Sequence, residues 1–249
     1  MSVSTKTPQA VFDTVFAFPP NRETLGGTAY LILETAEASE ASKTNSVSKN
    51  EPSNANRPNA NRPNANILVD CPAFNDANRD FIAEKGGIST LFITHRGGMA
   101  DVPKFQAAFG AQVVIQEQEA YLLPTVDTET FERDRILSPT SRVFWNSGHS
   151  PGSASLYHKP HGGILFTGRH LIPNRSGDPR PLRQSKTFHW PRQLRSAKQL
   201  LADFTPENLS YICPGASTGF LRGDKKIESA YERLKTTSWN ELATAEVKL

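Results

Sequence analysis

In the stretch FITHRGGMADV, Phe92 to Val102, a histidine follows a short apolar run and is itself followed by two glycines and an aspartate. The run Ser89–Ile93 has the length and composition of a buried strand. Strand ends suit metal chemistry because several of them can aim side chains at one point. Imidazole and carboxylate are ligands that zinc and iron accept, and the metal turns a bound water into a nucleophile near neutral pH. His149, in NSGHSPGSASLY, and His170, in ILFTGRHL, are two further imidazoles in glycine-containing links. Retention for packing and hydrogen bonding, or acid–base work without a metal, are the competing uses of His95 and His149. His158 and His161 fall in the turn-like HKPHGG and are expected to face solvent; His189 is expected on the surface at a helix start.

The elements that must position these residues alternate along the chain. Thr28–Leu33 and Ile67–Asp70 read as strands on either side of TAEASEASKTNSVSKNEPSNANRPNANRPNAN, whose second half repeats NANRP. That segment has almost no large apolar side chains, so burial cannot offset its ordering entropy. Residues 36–66 are expected to be a disordered insertion in an expanded hairpin loop, which loop-closure entropy tolerates. Further on, Asn75–Lys85 and Asp101–Phe109 read as helices, the second with Asp101 as N-cap and Gly110 as C-cap. Thr90–Ile93, Gln112–Gln116, Arg142–Trp145, Ser153–Tyr157, Gly163–Thr167 and Leu209–Cys213 read as strands. Pro191–Phe204 is an amphipathic helix with Leu194, Ala197, Leu200 and Leu201 on one side and Arg192, Arg195 and Lys198 on the other. A final helix is expected over Asp224–Lys235. Hairpins mixed with strand–helix units fit two sheets with outer helices, an α/β sandwich forming one domain with its core at about residues 11–236.

The totals exclude several classes. A chain of 249 residues with net charge +3 does not demand a nucleic-acid partner. Its two cysteines, Cys71 and Cys213, imply no disulfide framework. No basic start leads into an apolar run, and no run has membrane-spanning length, so a cytoplasmic protein without membrane association is the expectation. Oligomeric state is not readable.

The stretches GGTAYLILE, ILVDCPAF, LFITHRGGMAD, NSGHSPGSASLY, ILFTGRHL and YICPGAS, spanning about Gly26 to Gly223 without the insertion, resemble the metallo-β-lactamase superfamily. GHSPGSASLY followed by ILFTG is the most specific of them. The resemblance implies a four-layer αββα sandwich with one or two zinc or iron ions at the strand ends. It also implies hydrolysis of esters, thioesters, lactams, lactones or phosphodiesters. Members typically carry a strand ending in aspartate, a His-x-His-x-Asp-His motif, a Gly-His loop, Thr-Gly-Asp and Pro-Gly-His.

Mapped residue by residue without a gap, His95 keeps the first histidine, and Gly97, Met99 and Ala100 replace the second histidine, the aspartate and the third histidine. With two extra loop residues, His95 is kept, Asp101 matches the motif aspartate and opens the helix as that aspartate normally does, and Val102 replaces the last histidine. His149 keeps the Gly-His ligand; Arg169 replaces the bridging aspartate, and Ala216 the final histidine. His95, Asp101 and His149 therefore remain, with His170 as a displaced ligand. Asp101 and His149 are the candidate catalytic residues, and Asp70, Cys71, Arg169, Cys213 and Ala216 line the site. Asp70 and Asp101 can also serve by capping backbone amides, and the two cysteines by plain burial. A guanidinium cannot coordinate and repels a dication, so Arg169 is expected to take the metal's charge by pairing with Asp101 or Asp70.

The leading expectation is a superfamily-like protein without a complete metal centre, a binding or regulatory protein with weak or no activity. A hydrolase with a single zinc or iron ion is the alternative. A basic-cleft nucleic-acid binder is a third, weakened by the lack of interleaved aromatics. Arg169, Arg175, Arg180, Arg183, Lys186, Arg192 and Arg195 make the segment 169–195 basic. It reads as a mobile loop that could take a small anion.

Overall fold

Alternation along the central strands decides the architecture. Leu31, Leu68, Leu91, Ile93, Val113 and Ile115 fall in one buried cluster, whereas Tyr30, Ile32, Ile67, Val69, Phe92 and Val114 fall in a second. Successive side chains of a strand point to opposite faces, so this sheet is buried on both sides. The second cluster also holds Val143, Ala154, Leu156, Ile164, Phe166 and Cys213, whose neighbours Tyr157, Leu165 and Ile212 fall in a third. Three cores separating two sheets and two helical layers make a four-layer αββα sandwich.

The computed structural model describes residues 7–20, 22, 26–34, 65–217, 219–221 and 223–247. The first sheet runs in order from β1 to β7: β1 (Gln9–Phe12), β2 (Val15–Ala17), β3 (Tyr30–Ile32), β4 (Ile67–Val69), β5 (Thr90–Ile93), β6 (Gln112–Gln116) and β7 (Thr128–Phe131). Strands β1 to β4 are antiparallel neighbours and β4 to β7 are parallel. The second sheet contains β8 (Asp134–Ile136), β9 (Ser141–Trp145), β10 (Ala154–His158), β11 (Ile164–Gly168), β14 (Tyr211–Pro214) and β15 (Ile227–Glu228). A small ribbon pairs β12 (Ile172–Pro173) with β13 (Pro179–Arg180).

Helices α1 (Asp76–Glu84) and α2 (Val102–Phe109) cover the first sheet through Ile82, Val102 and Phe105. A short α3 (Glu117–Ala120) follows β6. Helix α4 (Trp190–Asp203) covers the second sheet through Ala197 and Leu200, together with α5 (Ala230–Lys235) and α6 (Trp239–Ala243). Among the described residues no helix is long and apolar enough to cross a membrane.

Antiparallel pairing of β3 with β4 makes the expected hairpin, Ile32 opposite Ile67. The disorder expected for 36–66 concerns residues of which 36–64 lie outside the described ones. The root is well defined: Glu34 N–H donates to Asn66 Oδ1, and Asn66 Nδ2 donates to the carbonyls of Lys85 and Gly87.

Two expectations need correction. The helix expected over Asp224–Lys235 begins only at Ala230. Residues Ile227–Glu228 instead add a strand to the second sheet, with Ile212 opposite Ile227, because Ile227 completes the third core. Ser229, at φ 49°, then breaks the strand before the helix. His158, expected in solvent, is the last residue of β10 and is 2% exposed, its ring closing the far end of the sandwich. His161 is exposed and stacks on Phe12, and His189 is exposed as the N-cap of α4.

Candidate functional site

Strands β4 and β5 are parallel, so Asp70 and His95, just past their ends, emerge on the same edge. Asp70 adopts φ 58°, a left-handed conformation that aspartate tolerates, and this turns its carboxylate onto the next strand. Thr94 takes both oxygens: its N–H donates to Oδ1 at 2.8 Å and its hydroxyl to Oδ2 at 2.6 Å. With that hydroxyl hydrogen committed, the contact of 2.9 Å between Thr94 Oγ1 and His95 Nδ1 has the imidazole N–H as donor. The chain Asp70–Thr94–His95 thus fixes the tautomer of His95 and leaves Nε2 as its lone-pair nitrogen, buried and without a partner. Burial pushes the Asp70 carboxyl up to about 6, against the Thr94 hydrogen bonds and the Arg169 charge, which both pull it down.

After His95 the chain forms the 3-10 turn Arg96–Gly98, closed by Gly98 N–H on the His95 carbonyl and by Cys71 N–H on the Gly98 carbonyl. The turn lies against the carboxylate and the imidazole. A Cβ at Gly97 would sit 2.8 Å from His95 Nε2, and one at Gly98 would sit 2.2 Å from Asp70 Oδ1. From the opposite side, a Cβ at Gly168 would sit 2.3 Å from Thr94 Oγ1. Only glycine permits this packing.

His149 lies on the link 146–153 between β9 and β10, with its ring centroid 5.1 Å from that of His95, edge to face. The link is pinned on two sides. Phe188 and His189 N–H groups donate to the carbonyls of His149 and Gly148, and Gly148 itself abuts the backbone of Gln193 in α4. Across from it, Gly152 N–H donates to Glu119 Oε1, which also receives Arg96 Nε at 3.2 Å. Burial holds the His149 imidazole down at about 4, with Arg169 and Arg96 adding to the effect. It also holds His95 well below the usual range, with His149, Arg169 and Arg96 adding, and His170 at about 3, with His149 adding. All three are neutral at pH 7.

Unpaired buried polar atoms gather here. His95 Nε2, Glu119 Oε2, Asn146 Oδ1, both His170 ring nitrogens and Gln193 Oε1 have no partner. Glu119 and Gln193 are fully buried, and the sequence hid both. QEQEA reads as a polar surface turn, and Gln193 sits between two arginines on a helix whose leucines define its inner face. The signal available was position: α3 starts at the end of β6, on the same edge as His95.

The structure brings His95, His149 and His170 together with Asp70 and Arg169. Asp101, whose charge reaches Cys71 next to Asp70, pairs with Lys104 in the first turn of α2, its carboxylate 2.6 Å from Nζ. Asp101 occupies the N-cap position but makes no side-chain cap bond; at φ −93° and ψ 35° its backbone is outside the extended region that N-cap residues adopt. Ala216, just past Gly215 at the end of β14, offers no donor atom. Cys71 and Cys213 are free and buried in different cores, and burial raises both thiols.

This donor set does not fit a metal centre of the expected kind. Among the described residues no group of three or more His, Cys, Asp or Glu could hold an ion. Asp70 has both oxygens on Thr94, Asp101 is paired with Lys104, and the free nitrogen of His95 is buried beside a turn where an added Cβ at Gly97 would sit 2.8 Å from it.

The basic segment is more structured than a mobile loop. Asp178 receives Arg233 Nε at 3.0 Å and faces Arg180, while Arg180 and Arg183 donate to the carbonyls of Arg233 and Ala245. Beside it is a cavity of about 380 Å³ lined by Arg183, Gln184, Thr187, Phe188, Trp190 and Val247.

No protein-family model matches this chain, and no curated protein matches it either. Solved structures do. An archaeal metallo-beta-lactamase superfamily protein from Sulfolobus tokodaii matches with TM-score 0.56 and 11% identity over 94% of this chain and 88% of its own. The BLEG-1 B3 metallo-beta-lactamase gives 0.57 and 15% over 88% and 95%, and a quorum-quenching N-acyl homoserine lactone lactonase gives 0.51 and 18% over 76% and 79%.

Proposed function

From a chain that has the metallo-β-lactamase fold but altered chemistry at its strand ends, we propose a binding or regulatory protein with weak or no hydrolytic activity. What supports this reading is the arginine at position 169, next after Gly168 where that glycine packs on Thr94, with its charge lowering the basicity of His95 and His149. A fixed cation facing neutral imidazoles opposes a dication and favours an anion. The ligand we propose is a small anion on the segment 169–195, at the cavity lined by Arg183 and His189, which is separate from the Arg169 edge. Fold alone does not decide activity, so the assignment rests on these residues.

The unpaired nitrogens of His95 and His170 favour one other reading, a hydrolase with a single metal ion. Its ligands would have to come from His95, His149 and His170, which as placed form no group that could hold an ion, while Asp101 lies on Lys104. Elemental analysis of protein purified without chelator, beside H95A/H149A, separates the two. We expect no stoichiometric zinc or iron in either protein. About one ion per wild-type chain, lost in the double variant, establishes the hydrolase reading instead. Calorimetric titration with phosphate and citrate tests the anion site, where R183A is expected to weaken binding; no heat from either anion rejects that part.

A further inference from the structure

The site edge is packed to a degree that its histidines alone do not require. His95 can offer a ligand only Nε2, since Nδ1 is held by Thr94. That nitrogen faces the Arg96–Gly98 turn, where the position a Cβ would take at Gly97 is 2.8 Å away. Real Cβ contacts do not come that close, so no side chain, histidine included, fits at 97 unless His95 moves. Gly98 bears on Asp70 in the same way, and the Cys71 N–H bond to the Gly98 carbonyl, at 3.0 Å, prevents the turn from lifting. Gly168, at φ 52°, closes the opposite side against Thr94, and Gly215 packs against Gly168 with a bond of 2.7 Å from its N–H to the Gly168 carbonyl. Arg169 and His170 follow directly on the chain.

We propose that protein fills the place a metal ion would hold in this fold: the Arg96–Gly98 turn occupies the space before His95, and Arg169, which follows Gly168 at that edge, supplies the positive charge. The inference rests on the reading that the site works without a metal. It goes beyond that reading by naming what replaced the ion. The replacement is double, one part steric and one electrostatic. Restoring an acidic residue at 169 therefore does not restore a metal site, because Nε2 stays buried beside the turn. It only removes the cation that Asp70 faces.

The test combines thermal unfolding with elemental analysis, with and without added zinc chloride, on wild type, R169K, R169M and R169D. We expect metal-free wild type whose Tm zinc does not raise. R169K should hold the wild-type Tm within about 1 °C, while R169M, which keeps the apolar stem, falls by about 2–4 °C. R169D should fall further, take up no zinc and recover nothing when zinc is added. Wild type with one bound zinc and a raised Tm overturns both this inference and the metal-independent reading. Metal-free wild type with R169M equally stable overturns this inference alone. R169D that binds zinc and regains its Tm shows the space to be open and overturns the steric half.

Discussion

Two chains of carboxylate, hydroxyl and imidazole lie at opposite ends of the same sandwich. At one end are Asp70, Thr94 and His95; at the other are Glu34, Ser141 and His158, where Ser141 Oγ donates to Glu34 Oε1 at 2.7 Å and contacts His158 Nδ1 at 2.8 Å. Both histidines are buried, both are held neutral, and both keep an unpaired Nε2. The ends differ in their surroundings. Glu34 also receives the hydroxyls of Ser138 at 2.6 Å and Thr140 at 2.5 Å, so its negative charge is satisfied by neutral donors that bind β3 to the second sheet. Asp70 has one hydroxyl and faces Arg169, and its histidine has His149 at its edge. A buried neutral histidine with an unpaired nitrogen thus occurs in this chain also where no ligand motif exists. What sets the site end apart is the cation and the second and third imidazoles.

Acid should strike both ends and give the largest effect. His149 and His158 lie near 4 and His170 near 3, against an ordinary 6.5, so between about pH 6.5 and 4 the unfolded chain binds more protons. Stability is then fully present above 6.5 and lost as pH falls, by about 1.4 kcal/mol per pH unit for each histidine. Asp70, raised to about 6 from 3.8, runs the other way but is outnumbered. Urea midpoints at pH 7 and pH 4.5 measure the balance; equal midpoints would show the imidazoles to be solvated.

The two ends separate on substitution. E34Q should cost about 2–4 kcal/mol, since an amide nitrogen must face a hydroxyl donor. T94V strips Asp70 Oδ2 and the His95 N–H together and should cost about 2–3 kcal/mol. S141A should cost only about 1–2 kcal/mol, because Ser138 and Thr140 still hold Glu34. Chemical denaturation ranks them, and S141A as costly as T94V would erase the distinction drawn here. G97A should cost about 1–3 kcal/mol by crowding His95, with a shifted His95 signal in proton–nitrogen spectra. K104A, which breaks a surface pair, should change stability by less than about 0.5 kcal/mol; a larger loss would place Asp101 in the site.

Much of this was legible. The resemblance carried by GHSPGSASLY and ILFTG led to the fold, and periodicity placed β5, β6, α1, α2 and α4. Strands β7 and β8 were missed because TETF and DRI are short, polar edge strands with little apolar alternation. His158 was misplaced because HKPHGG looks like a turn, although the turn starts one residue later. The ion pair of Asp101 was hidden for a different reason. Motif alignment places a residue in sequence register but says nothing of a neighbour, here Lys104, that competes for its side chain.

The root at Glu34 and Asn66 has a practical consequence. The two residues are tied to each other by a backbone-to-side-chain bond, one is anchored by hydroxyls and the other by two carbonyls, and both lie at the end of β3 and β4 remote from Asp70. Such a junction is a ready graft port. A reporter domain spliced there would hang from a rigid collar, with the opposite rim left uncovered.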